Sequence, residues 1–148
     1  MIAYLDSSII ARAYLRDEDG SAEARRLLDD RSVAKYTGRW TRIEVSAAIV
    51  RAARGGRRVA VSTLLAKLDA DLHPDRGRVW ILSVGDEALE SKALEFARTH
   101  GLRALDALHV ALASIAIPPL ADRGEPIAFA SRDGDQAAVA ESLGFVRA

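Results

Sequence analysis

The chain has 148 residues, 49% hydrophobic and 28% charged, with 21 basic and 21 acidic side chains that leave no formal net charge. This size and balance suit one soluble domain over residues 1–148 with no linker, and they exclude the strongly basic field of a non-specific nucleic-acid binder, so any such role rests on local patches. Zero cysteines exclude disulfides, thiolate metal sites and cysteine nucleophiles, and His73, His100 and His109 lack zinc spacing, so a metal would sit mainly on oxygen.

Residues 1–5 are apolar and strand-like, and Asp6-Ser7-Ser8 supplies capping oxygens for a helix over the apolar run that follows. A second helix spans about residues 21–30 and a short strand about 33–36. Thr41-Arg42-Ile43-Glu44 has the form of a capping box, opening a helix that stops at Gly55-Gly56. A further helix covers about 59–72 and ends at His73-Pro74, and residues 78–84 read as a buried strand. Asp86 is expected to cap a helix running to about His100, where Gly101 stops it. Residues 103–117 read as a mostly buried helix ending at Pro118-Pro119, followed by a strand at about 126–130, a helix at 135–143 and a last strand at 145–146. Alternation of this kind predicts an α/β fold with a parallel sheet covered on both faces. No apolar run approaches the roughly 18 residues needed to cross a bilayer, and the opening lacks a basic segment followed by a long apolar one, so a cytoplasmic location and no membrane association are expected.

Four acids stand out in this frame. Asp6 follows the first strand, where parallel sheets place their sites, although an N-cap aspartate is common. Glu44 fits the capping box as well as a site. Asp106 lies among Leu105, Ala107, Leu108 and Val110, where a carboxylate needs a metal, an arginine such as Arg103, or capping duty. Asp133 ends Ser131-Arg132-Asp133, and Asp135 competes with it for the same role. Because strand ends and helix starts of a parallel sheet share one edge, all four can form one cluster. Oxygen donors without cysteine favour Mg²⁺ or Mn²⁺, whose activated water can attack a phosphodiester. Ser8 is placed to hydrogen-bond Asp6 or such a water, or simply starts its helix. His109 reads as a packed or hydrogen-bonded helix residue rather than a ligand. Arg39 and Arg42 before the Glu44 helix, and Arg51, Arg54, Arg57 and Arg58 at its end, form either a phosphate-binding rim or a solvated helix end.

Taken in order, Tyr4-Leu5-Asp6-Ser7-Ser8-Ile9-Ile10, Glu44, Leu105-Asp106-Ala107-Leu108-His109-Val110-Ala111 and Ser131-Arg132-Asp133 resemble the PIN-domain family, and within it the VapC-type toxins. No one of these motifs is specific; the ordered set carries the resemblance, over residues 1–146. It implies a three-layer α/β/α fold with a short, mainly parallel sheet, and a Mg²⁺- or Mn²⁺-dependent endoribonuclease with Asp6, Glu44, Asp106 and Asp133 as metal-holding catalytic acids. It further implies an RNA substrate of the tRNA or rRNA class, growth arrest, a homodimer, and a VapB-type antitoxin whose tail covers the acids. Family members often carry Thr where Ser131 stands, and Asp135 adds an acid beside Asp133. The competing expectations are a PIN-like RNA- or protein-binding module with little catalysis, and a housekeeping RNA-processing nuclease. A receiver-type phosphoacceptor fits poorly, because serines follow Asp6 and no lysine follows Lys92.

Overall fold

The computed structural model describes residues 1–148. In chain order the elements are β1 (Ile2–Leu5), α1 (Ser7–Tyr14), α2 (Ser21–Asp29), β2 (Ala34–Gly38), α3 (Thr41–Arg54), α4 (Val61–Asp71), β3 (Trp80–Leu82), α5 (Asp86–His100), α6 (Ala104–Ala116), a 3₁₀ turn (Pro118–Leu120), β4 (Ile127–Ala130), α7 (Gly134–Ser142) and β5 (Val146–Arg147). The strands form one sheet in the order β3-β2-β1-β4-β5, and every neighbouring pair is parallel.

β1 is the middle strand, with Tyr4 opposite Tyr36 on one side and Phe129 on the other. All four of its residues are buried, because strand side chains alternate between faces and both faces are covered. Ile2, Tyr4 and Phe129 face a core with Leu89 and Phe96 of α5, Val110 and Leu112 of α6 and Val139 of α7. Ala3, Leu5, Ala128 and Ala130 face the other core, with Ile9 and Ile10 of α1, Leu28 of α2, Val45 and Ile49 of α3 and Leu68 of α4. The expected three-layer α/β/α arrangement is thereby formed, and it aims the carboxyl ends of β1 and β4 at one edge.

Residues 78–84 depart from the expected buried strand. Only Trp80–Leu82 pair, at the edge of the sheet, and Trp80 and Ile81 are 47% and 41% exposed. An apolar run has the same pattern at an edge as in a sheet centre, so its composition misled. Asp86 also does not cap α5: Gly85 holds the N-cap position, and the Asp86 carboxylate meets Arg39 at 3.3 Å.

On the α1–α4 side, the buried Asp71 ends α4 in a polar cluster that no sequence pattern marked. Tyr14 Oη donates to Asp71 Oδ2 at 2.6 Å, and Arg78 donates to both carboxylate oxygens at 2.8 and 2.7 Å. Lys67 adds a charge at 3.3 Å. Burial alone would raise the Asp71 pKa, but the hydrogen bonds from Arg78 and Tyr14 and the nearby positive charges hold it below the ordinary carboxylate value. Gly77 makes the intervening turn possible: a Cβ there would lie 2.5 Å from the carbonyl oxygens of both Asp71 and His73.

Candidate active site

Asp6 is the N-cap of α1, in an extended conformation that continues β1, and only 4% of it is exposed. Its Oδ2 accepts from Ser8 N–H at 3.2 Å and from Ser8 Oγ at 2.6 Å. Asp6 N–H donates to the Ala130 carbonyl at 2.9 Å, so the end of β4 is drawn beside it. Asp133 then caps α7, with Oδ1 accepting from the N–H groups of Asp135 and Gln136 at 2.9 and 3.0 Å. Asp135 itself points into solvent in the first turn of α7.

Glu44 does not belong to a capping box. α3 starts at Thr41, one residue earlier than a box requires, because Trp40 already has helical backbone angles. The Thr41 hydroxyl instead pairs with Thr37 at 2.7 Å, leaving the Glu44 carboxylate to receive His109 Nε2 at 2.9 Å. Asp106 stands in the first turn of α6 and is half-buried; Leu105 beside it is 43% exposed, so this end of the helix is open where a buried one was expected. Burial first, then the charges of Asp133 and Asp6, raise the Asp106 pKa, against smaller opposing effects of His109 and Arg103.

Three residues bind these acids into one constellation. His109 is fully buried, with Nε2 2.9 Å from Glu44, 3.2 Å from Asp6 and 3.0 Å from Trp40 Nε1. Trp40 Nε1–H and the two carboxylates thus converge on Nε2, while Nδ1 lies 2.8 Å from Tyr4 Oη. Tyr4 stays a donor because burial, and then the charges of Asp6 and Glu44, push its phenol well above the ordinary value. Ser131 Oγ accepts from Asp133 N–H at 3.0 Å, lies 3.3 Å from Asp6 and touches the Gln136 amide oxygen. The fully buried Gln136 donates from Nε2 to the Asp106 carbonyl at 3.2 Å, tying the Asp133 turn to α6. The bonding role of His109 matches its sequence reading; Gln136 carried no signal, since its partners lie 5 and 30 residues away.

None of the four carboxylates pairs with a lysine or an arginine; their only basic partner is His109. Nor does any group of three or more His, Asp or Glu side chains converge as a finished metal-ligand shell. Asp133 is engaged by backbone N–H groups, Asp6 by Ser8 and Glu44 by His109. The donor chemistry nevertheless fits a hard divalent cation: anionic oxygen, no ion-paired ammonium or guanidinium, and mutual repulsion that a cation would relieve. Of the arginines singled out in the sequence, Arg39 pairs with Asp86 and Arg42 with Asp69 at 3.4 Å, Arg51 and Arg54 are exposed near the far end of α3, and Arg57 is held by Asp17 and Glu18.

The raised Asp106 pKa makes a signed prediction. A carboxylate whose folded pKa lies above its unfolded one costs the native state stability as pH rises through that interval. Asp106→Asn is therefore expected to melt higher than the parent protein in EDTA at pH 7. Adding Mn²⁺ should shrink or reverse the difference, because only the parent gains a charged ligand; thermal melts with and without metal check it.

The chain is thus a parallel α/β/α protein whose acids gather at the carboxyl edge of the sheet with no lysine or arginine paired to them. Comparison with known protein families matches residues 3–142 to the PIN domain, and the chain belongs to that family. No curated protein matches the chain. No helix is long and apolar enough to cross a membrane.

Proposed function

We propose that this chain is a Mg²⁺- or Mn²⁺-dependent endoribonuclease acting in the cytoplasm as the toxin of a type II toxin-antitoxin pair. The observation that carries the reading is the gathering of Asp6, Asp106, Asp133 and Glu44 at one sheet edge with no lysine or arginine ion-paired to any of them. A bound divalent ion would supply Lewis-acid polarisation of a phosphoryl oxygen and a more acidic water. The protein's part is orientation. Ser8 aims Asp6, the start of α7 aims Asp133, and the Tyr4–His109 pair holds Glu44 Oε1, leaving the other carboxylate oxygen to take a proton from attacking water. His109 and Gln136 act as positioning residues. Of the two acids in the last turn, Asp133 is favoured as the fourth site residue, since its charge acts on Asp106 while Asp135 is exposed.

Partners follow from the same reading. RNA of the tRNA or rRNA class is the substrate, and its cleavage inhibits translation and growth. A VapB-type antitoxin and a second copy of the chain complete the assembly. The antitoxin is supported by an apolar groove of about 430 Å³ beside Asp106, formed by Leu89, Ala93 and Leu94 of α5 and Ala104, Ala107 and Leu108 of α6.

Purified protein incubated with mixed tRNA and rRNA is expected to yield discrete products in Mg²⁺ or Mn²⁺ and none in EDTA. Undiminished cleavage in EDTA, or no cleavage in either metal by folded, antitoxin-free protein, would overturn the proposal.

A further inference from the structure

Arg132 lies between two residues that face the acids, yet its side chain does not turn toward them. Its backbone N–H donates to Ser8 Oγ at 3.1 Å, and the same hydroxyl donates to Asp6 Oδ2, so its main chain is two hydrogen bonds from the central carboxylate. The guanidinium is instead drawn outward: Nη1 donates to Glu18 Oε2 at 2.6 Å, across 114 residues of sequence. Glu18 sits in the loop between α1 and α2, and its other oxygen meets Arg57 Nη1 at 3.3 Å. One carboxylate is thus held between two guanidiniums at the rim of the acid cluster.

Resting on the nuclease reading, we infer that Arg132 grips a phosphodiester of the bound RNA, and that Glu18 is the stand-in anion occupying that place in free protein. Guanidinium is the side-chain group best matched to phosphate oxygens, and the Arg132 side chain is 44% exposed, open to an incoming strand. The Glu18 side chain is 23% exposed and keeps Arg57 when Arg132 lets go, so a phosphate can displace the carboxylate from Arg132 alone. The acid cluster repels an approaching polyanion, and a cation beside it offsets that repulsion.

An ordinary surface pair and a phosphate grip differ in one respect. If the pair only stabilises the loop, Glu18→Gln and Arg132→Ala act on RNA through net charge alone and Arg132→Lys binds as the parent does. If Glu18 stands in for phosphate, the two variants shift binding in opposite directions and Arg132→Lys, which lacks the fork, binds more weakly than the parent. The probe is a radiolabelled single-stranded oligoribonucleotide, with filter retention in EDTA for affinity and Mg²⁺-driven cleavage for kcat and KM. Arg132→Ala is expected to weaken binding and raise KM about tenfold, leave kcat within about twofold, and lower the slope of log affinity against log salt by about 0.7. Glu18→Gln should tighten binding about threefold, as one competing anion is lost. Arg132→Lys, which keeps the charge but not the fork, should fall between Arg132→Ala and the parent. Shifts in the same direction, unchanged affinity in Arg132→Ala, parent-like affinity in Arg132→Lys, or no RNA binding by the parent protein overturns the inference. Opposite shifts in a protein that binds RNA without cutting it would leave the grip standing and remove the nuclease reading.

Discussion

Asp6→Asn protein is expected to bind RNA, remain folded and lose metal-dependent cleavage by a factor on the order of 10²–10³ or more, the range found when a charged group acting on metal or transition state is removed. The substitution keeps the shape of the side chain, and the amide oxygen can still accept from Ser8 N–H and Oγ, so the cap of α1 survives. What disappears is a buried negative charge coupled to Asp106 and lying 3.2 Å from His109 Nε2. Single-turnover cleavage alongside circular dichroism separates chemistry from folding. Cleavage within about tenfold of the parent would remove Asp6 from the proposed machinery.

The largest expected effect on stability lies away from the acids, at Asp71. Asp71→Ala removes the acceptor for Tyr14 and for two donors of Arg78, and leaves a buried phenol and a partly buried guanidinium short of partners. Breaking a buried pair from one side costs about 3–5 kcal/mol, and the lower end applies because Arg78 keeps Asp29. The urea midpoint at pH 7 reads the loss. Its pH dependence follows from the depressed pKa: the contribution is complete above the unfolded carboxylate value of about 3.9 and fades as pH falls through the lower folded value. The gap between parent and variant should therefore stay constant from pH 7 to about 5 and narrow below about pH 4. A gap that widened in acid would contradict the assignment of the shift to the folded state.

These expectations rest on contacts of different sequence range, which decides what the chain reveals when read alone. Asp6 was legible because β1 runs directly into it and its partner Ser8 is two residues on. Asp133 follows β4 in the same way and its partners are equally local, whereas Asp135, two residues on, is exposed in the first turn of α7. The Thr41 to Glu44 spacing suggested a local cap, and nothing nearby could reveal that Trp40 starts the turn early and that His109, 65 residues later, claims the carboxylate. The 78–84 segment failed because apolar content does not say whether another strand lies beyond; none does. Asp71 with Arg78, and Glu18 with Arg132, are ordinary surface residues in pattern, and only the folded chain brings each pair together.

The two tryptophans occupy opposite settings, one with its indole nitrogen 3.0 Å from His109, the other half-exposed on the edge strand. Replacing Trp80 with Phe leaves a single indole, and the tryptophan emission of that protein then comes from the acid site alone. Anything that reorganises His109 and Glu44 would be recorded as a change in its colour or quenching, with no label attached.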